Sequence, residues 1–582
     1  MIETAQRPWW RTLPRESVVV TLAALAALRL LVILINPVLT PPQWDEFIIL
    51  ANAKRIFNGA LPYRDYFNHT PPGSEWFYAA VFWLSGGPNA GIARLVTQVA
   101  VVASGVLVYA ALRRLALRPL AAALPGVALL VLWFPQWPIA LHHWLALLPA
   151  SAALLCWVLA LRAEPVPQRV TALWAGAAGV LVIATALNVQ TQAVIVGATI
   201  LALPRLLRWS RPHLAPTRPA LLWGGLAGGS ALAAMAFVVY LAASGTFGLF
   251  IENSVLFPLF GYRQSGGPND LRFLADIPYR LSIFAGLETS WWVRVMLAAG
   301  QICSALAGAA AALWLCLTAL RALVERNPAL AGRRWLDAGA LLLPLVAAFT
   351  CLLARPDMLH LSFYGLLPTA CAVLAVDGAA RLRATYIDRC ARSLLVLCGA
   401  IGLTAHLLLP LSQGAPVPPL FGRLSSIDPA LDRLPAIDGE MVQNDPRLYF
   451  LRRFGIDHPG ARLFAASQGA VAYFLGLDPA VSETLLLAPT SGYNSPAAYG
   501  RVAEQLESAA PELVMLTPLN DVANFLRPPP TAPIEVRQLA QVLQTQYAGS
   551  ARIGDALILV RKDLVAAAAV PPPPAPSPHA QP

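Results

Sequence analysis

Ionisable side chains are scarce in this sequence: Asp, Glu, Lys and Arg make up 13% of it, against 57% hydrophobic residues. That balance excludes a water-soluble enzyme and places most of the chain in lipid. Cysteine is also sparse. The seven present (Cys156, Cys303, Cys316, Cys351, Cys371, Cys390 and Cys398) lie in or beside apolar segments, with no CxxC spacing and none in the C-terminal region. A disulfide framework and a cysteine metal site are therefore both unsupported. No small-residue cleavage site follows the first apolar run, so that run is expected to be an anchor helix rather than a removed signal peptide. The C-terminal region has no Gly-rich phosphate loop and no Ser-His-Asp or metal-ligand spacing, and no internal repeat is evident along the chain.

What is there is a series of apolar stretches long enough to span a bilayer, which takes roughly 20 residues. They centre on Ser17 to Asn36, Arg94 to Leu112, Pro119 to Phe134, Leu141 to Leu161, Val170 to Leu187, Ala193 to Leu207 and Pro219 to Ala243. Further ones run Val293 to Leu320, Leu336 to Leu353, Leu359 to Val376 and Ser393 to Leu411. The sequence thus predicts about eleven transmembrane helices. The formal net charge of +11 comes from Arg clusters in alternate connections: Arg7, Arg11 and Arg15; Arg113, Arg114 and Arg118; Arg162 and Arg169; Arg205, Arg208, Arg211 and Arg218; Arg321 to Arg334; and Arg381 to Arg392. Short loops rich in Arg stay cytoplasmic, so the N-terminus is expected inside and the C-terminus outside, with no nucleic-acid footprint.

Two of the outer connections are long, 37–93 and 244–292, and long loops tend to carry function. Each holds a short apolar-aromatic stretch, Trp76 to Leu84 and Phe247 to Phe260, expected to lie at the membrane surface because it is too short to cross. The expected organisation is a transmembrane region 1–411, a small α/β domain 412–565 and a disordered Pro/Ala-rich tail 566–582. Within the α/β domain, strands are predicted at Arg462 to Ala466, Leu513 to Leu516 and Ala556 to Val560. Helices are predicted at Gln468 to Leu475, Ala497 to Ala509 and Val536 to Gln546.

The first outer loop reads PPQWDEFIILANAKRIFNGALPYRDYFNHTPPG and gathers Asp45, Glu46, Lys54, Arg55, Arg64, Asp65 and His69 in a chain otherwise poor in charge. The plainest alternative to a functional role is an ordinary polar loop in which Asp45 or Asp65 caps a helix. The order of an Asp-Glu pair, an amphipathic stretch ending in Asn-Gly, then Tyr-Arg-Asp and Pro-Pro-Gly resembles the first periplasmic loop of GT-C glycosyltransferases. The branch is that of protein O-mannosyltransferases, aminoarabinose transferases and lipopolysaccharide galacturonosyltransferases. The topology, the second long loop and the outer C-terminal domain are similar too, so the likeness spans nearly the whole chain.

The resemblance implies an all-α polytopic GT-C-like fold with a small α/β extracytoplasmic domain, in the bacterial inner membrane. It implies an inverting transfer of sugar from a polyprenyl-phosphate donor to a lipid, glycan or protein acceptor at the outer face. Asp45 takes the family's general-base position, where a carboxylate is needed because an acceptor hydroxyl is a poor nucleophile; a positioned base contributes roughly 10²- to 10⁴-fold. The departing phosphate calls for Arg or Lys, and Arg64, Lys54 and Arg55 are the loop's candidates; attraction to anionic lipid headgroups is the alternative for Lys54 and Arg55.

Glu46, Asp65 and His69 are second-rank substrate-binding candidates, with Glu46 either orienting Asp45, binding acceptor or simply solvated. Where aminoarabinose transferases carry an acid and a Lys directly before Pro-Pro, this chain has His69 and Thr70. No cofactor is called for; a divalent metal is left open, with His69 as its candidate ligand. In RPDMLHLSFYG, Arg355 and His360 are expected at the donor phosphate or sugar, the alternative being an Arg355 to Asp357 pair at the interface. A lipid-linked-sugar flippase or transporter is the competing class. It would place ionisable groups near the bilayer midplane.

Overall fold

The computed structural model describes residues 44–134, 139–161, 167–210, 219–261, 363–379, 446–467, 477–482, 494–517, 519–553 and 556–564, with scattered positions between them, among them 343, 344 and 346–348. The predicted spans at Ser17 to Asn36, Val293 to Leu320 (Val295 apart) and Ser393 to Leu411, the predicted helix Gln468 to Leu475 (Ala470 apart), the sites Arg355 and His360 and the tail 566–582 lie outside the described residues. Five described helices are long and apolar enough to cross a membrane: α3 (Ala90–Arg114), α5 (His142–Leu161), α6 (Gln168–Asn188), α7 (Gln190–Ser210) and α8 (Pro219–Ala243). The chain is a multi-pass membrane protein. Between α3 and α5 the predicted span is α4 (Pro119–Ala128), continued by a π-helical turn over Leu129–Trp133. Pro125 lacks the N–H that would bond back within the α-helix, which fits the change of pitch that follows.

Close approach of α6 and α8 depends on glycine. A Cβ at Gly229 would strike the backbone of Gly176, and one at Gly179 the carbonyl of Leu226. Gly225 and Gly229 stand four apart on α8, the small-residue spacing that lets two helix backbones meet in lipid. A continuous core of Trp133, Trp144, Trp157, Phe82 and Phe363 runs through the bundle, all less than 2% exposed. The remaining apolar surface, such as Leu232 and Met235 on α8 (70% and 62% exposed), is available to lipid.

One end of the bundle gathers both long connections. There α1 (Trp44–Phe57) and α2 (Gly73–Leu84) precede α3, and α9 (Phe247–Phe250) runs on as a π-helical stretch over Ile251–Gly261. The other end carries Arg113, Arg114, Arg118, Arg169 and Arg205, so the described basic clusters segregate as their alternation predicts. α10 (Leu366–Ala379) packs against α4 and α7.

The C-terminal region forms a five-stranded mixed sheet in the order β2-β1-β3-β5-β4, with β1 (Arg462–Ser467), β2 (Asp478–Pro479), β3 (Leu513–Thr517), β4 (Tyr547–Ile553) and β5 (Ala556–Arg561). β3 is parallel to β1 and antiparallel to β5. Along β3, Val514 and Leu516 face the helices α12 (Pro496–Ala509) and α13 (Ile534–Gln546), while Leu513 and Met515 face Leu451 and Phe454 of α11 (Pro446–Asp457). A strand covered on both faces is apolar throughout, as LVML is. Ala51 of α1 belongs to the second of these clusters, so the sheet rests directly on the helix that opens the first outer loop.

Candidate active site

α1 begins at WDE and ends at KRIF, putting Asp45 and Glu46 in its first turn and Lys54 and Arg55 in its last. That polarity matches the helix dipole at both ends. Asp45 is half-buried, and among the described residues no hydrogen bond or ion pair engages its carboxylate. Glu46 differs entirely. It is 0% exposed and accepts from Arg94 Nε at 2.7 Å, Arg94 Nη2 at 2.5 Å and the Ala140 amide at 2.9 Å. The two neighbouring acids thus divide the work: Glu46 pins α1 to α3 and to the entry of α5, and Asp45, one residue earlier, is left with its oxygens uncommitted. Of the roles open to Glu46 in the sequence, solvation is corrected by its burial.

The cations of the loop have separate fates. Arg55 lies over the Tyr66 ring, 5.5 Å from its centroid. Its guanidinium donates to the Val481 and Ser482 carbonyls, each at 2.9 Å, and the Phe67 amide donates to the Ser482 carbonyl at 3.4 Å. It therefore clamps the loop to the segment beside β2. Lys54 is half-buried on α1. Arg64 is exposed and forms a bidentate pair with Asp65, Nε to Oδ1 and Nη2 to Oδ2 both at 2.8 Å. The hydrogen bond from Arg64, opposed by partial burial and aided by the Leu61 amide, holds the Asp65 carboxyl below its usual range. Water screens an exposed pair of this kind, so Arg64 is readily released to another anion.

The turn between α1 and α2 is strained and heavily cross-linked. Tyr63 adopts φ +70, an unfavourable value for an aromatic residue. Its hydroxyl donates to the Thr70 carbonyl and accepts from Ser254 Oγ, both at 3.1 Å. Burial pushes the Tyr63 and Tyr66 hydroxyls above their ordinary range. Ser254, on the π-helical stretch, also donates to the Asn68 carbonyl at 3.3 Å, and Gln190 Nε2 donates to the Ser254 carbonyl at 3.2 Å. The two long connections are thereby joined at one point. His69 stacks on Phe67 (6.3 Å between centroids) and meets Phe257 edge-on. Among the described residues no group of three or more His, Cys, Asp or Glu is placed to hold a metal.

The Pro-Pro-Gly motif seats α2 against the end of α6. A Cβ at Gly73 would lie 2.5 Å from the Leu187 carbonyl, and Ser74 Oγ donates to Asn188 Oδ1 at 2.6 Å. Two residues past the glycine stands Glu75, which the sequence reading did not single out. It is 2% exposed, and Asn52 Nδ2 (2.8 Å), Asn68 Nδ2 (2.9 Å) and Tyr66 Oη (2.8 Å) all donate to it. Burial pushes its carboxyl up to about 7, against the pull of those three hydrogen bonds and of Arg55. The available signal was a lone acid in an otherwise apolar helix.

The polar junction Asn188 to Gln192 is a tie point. Thr191 Oγ1 and Tyr364 Oη are 2.9 Å apart, and Gln192 Nε2 donates to the Phe363 carbonyl at 2.7 Å. His143 stacks on Phe363 at 4.4 Å, and Trp144 is 0% exposed, so both belong to the core.

No family model and no curated protein matches the sequence. Solved structures do. ArnT from Cupriavidus metallidurans in the apo state aligns over 93% of this chain and 97% of that one, with 12% identity and a TM-score of 0.50. The same protein bound to undecaprenyl phosphate aligns over the same shares at 12% identity and a TM-score of 0.47. The oligosaccharyltransferase of Archaeoglobus fulgidus aligns over 91% of this chain and 72% of that one at 13% identity and a TM-score of 0.42. The last two overlaps are too loose to argue from. The first establishes the architecture: the chain has the fold of GT-C polytopic membrane proteins, mostly helical with a small sheet near its C-terminus.

Proposed function

We propose that this chain is an inverting glycosyltransferase that moves a sugar from a polyprenyl-phosphate donor to an acceptor at the outer face of the bacterial inner membrane. The observation that carries the reading is the first turn of α1. Asp45 is half-buried and uncommitted beside a Glu46 locked by Arg94 and Ala140, at the end of a GT-C-fold bundle where both long connections and the C-terminal sheet meet. A carboxylate that already makes strong internal bonds cannot accept a proton from substrate at low cost, whereas Asp45 can.

In this reading the acceptor oxygen attacks the anomeric carbon while Asp45 takes the hydroxyl proton. The bond from that carbon to the donor phosphate oxygen breaks, and the lipid phosphate leaves with the bonding pair. The configuration inverts because attack and departure are on opposite faces. The freed phosphate charge needs a cation, and Arg64 is the exposed one in the loop, held only by its surface pair with Asp65. Lys54 is the second. Arg355 and His360 belong to the same proposal at the start of the tenth predicted span. Arg55, drawn into the clamp on Val481 and Ser482, supports the loop and is moved in this reading from the phosphate to that task.

A transporter would carry charge at the bilayer midplane. In the described spanning helices Asp, Glu, Lys, Arg and His lie toward the ends, as with Arg94, Arg113, His142, Arg169 and Arg205, which favours surface chemistry.

The test compares envelope glycans, glycolipids and glycoproteins by mass spectrometry in a deletion strain complemented with the natural protein or with Asp45→Asn. Loss of one sugar residue, restored by the natural protein alone, supports the assignment and its mass difference gives the sugar class. Full restoration by Asp45→Asn would refute it.

A further inference from the structure

Glu75, like Glu46, is a fully enclosed carboxylate of the first loop, and the transfer step does not use it. At 2% exposure its carboxyl is closed off from the surface. Its three donors nevertheless come from different pieces of the site. Asn52 stands two turns along α1 from Asp45, and Tyr66 and Asn68 come from the strained turn. Each of these reaches further: Tyr66 supports the Arg55 guanidinium that grips Val481 and Ser482, and the Asn68 carbonyl receives Ser254 of the second connection. A buried carboxyl is costly unless its oxygens are satisfied, and here three donor groups engage both of them.

We propose that Glu75 is a positioning residue for the transfer reaction, holding the Asp45 helix, the Tyr66 to Asn68 turn and, through them, the second connection and the C-terminal sheet in one arrangement. The inference rests on the transferase reading of Asp45. The charged and titratable groups that face it are Arg55 from α1 and Tyr63 and Tyr66 from the turn. Its removal frees the turn without touching the groups that contact substrate, so the loss falls on turnover rather than on donor binding. A displacement of about 1 Å at reacting groups costs on the order of 10²-fold. Glutamine is the conservative replacement: its oxygen still accepts from Asn52 and Asn68, and its amide donates to Tyr66 once that hydroxyl turns to accept.

The experiment purifies the full chain and its Glu75→Ala, Glu75→Gln and Asp45→Asn variants in the same detergent. It reads kcat and KM with a polyprenyl-phosphate-linked sugar, and separately the rate of tryptic cleavage after the exposed Arg64. The expected result has four parts: Glu75→Ala lowers kcat by on the order of 10- to 100-fold with KM changed less than about threefold, cleavage after Arg64 quickens by at least about tenfold, Glu75→Gln recovers most of both, and Asp45→Asn is inactive but cleaved like the natural chain. A Glu75→Ala enzyme with natural kcat, or one whose loss lies in KM alone, overturns the proposal. If no variant and no natural chain shows transfer, the transferase reading has failed and the cleavage rates decide the positioning role: unchanged cleavage in Glu75→Ala overturns it, and faster cleavage rescued by glutamine supports it.

Discussion

Changing pH should loosen the turn around Glu75 in a direction fixed by its burial. Its carboxyl is raised from an ordinary 4.5 to about 7, first by desolvation and then against three hydrogen bonds and Arg55. The folded site therefore prefers the proton. The contribution is fully present below the ordinary carboxylate value, declines as pH rises, and is lost above about 7. A shift of that size corresponds to roughly 3 kcal/mol, or on the order of 100-fold in an opening equilibrium. The assay is native-state hydrogen exchange of the amides between Asn58 and Ser74, corrected for the intrinsic pH dependence of exchange. The natural chain should lose protection by up to about 100-fold between pH 5 and pH 8, and Glu75→Gln, which has no proton to give up, should stay flat. Equal slopes in the two proteins, or a flat profile in the natural one, would sink the reasoning and mean that the turn opens without exposing Glu75.

Two further predictions concern the supports of Asp45. Arg94→Ala leaves Glu46 buried and unpaired, so it should destabilise the chain by about 3–5 kcal/mol, read as a lowered midpoint of thermal unfolding in detergent; Arg94→Ala combined with Glu46→Leu should recover much of that loss, and a single variant as stable as the natural chain would argue against the ion pair. Gly73→Ala puts a methyl group 2.5 Å from the Leu187 carbonyl, a clash with backbone that only a shift of α2 relieves. It should cost roughly 1–3 kcal/mol in the same unfolding assay, with natural stability counting against the close seating of Pro-Pro-Gly.

The described spanning helices were legible because lipid imposes a length and a hydropathy that nothing else in the chain mimics, and β1, β3 and β5 because strands covered on both faces are apolar throughout. β4 escaped notice for the complementary reason. YAGSARI is an edge strand with small and polar residues and carries almost no period, and its register even slips between Ala548 and Ser550. The Asp45 neighbourhood was half legible. Acids and bases concentrated in one loop stood out, but composition does not say which acid is locked and which is free. Arg94 held the missing clue: an isolated Arg at the end of α3 away from the basic clusters breaks the alternation of charge and needs an anionic partner. Glu75 was hidden by the apolar helix around it, and the Arg55 clamp could not be foreseen because its acceptors are main-chain carbonyls, which any residue supplies.

That clamp has a consequence for biogenesis. Arg55 and Ser482 are 427 positions apart in the chain. At ordinary synthesis rates their meeting is delayed by about 20–90 s after the first loop has emerged. During that interval the Asp45 loop is unfastened on one side. A chain stalled or truncated before residue 481 would lack that clamp, so its closure doubles as a report that translation has reached the C-terminal sheet.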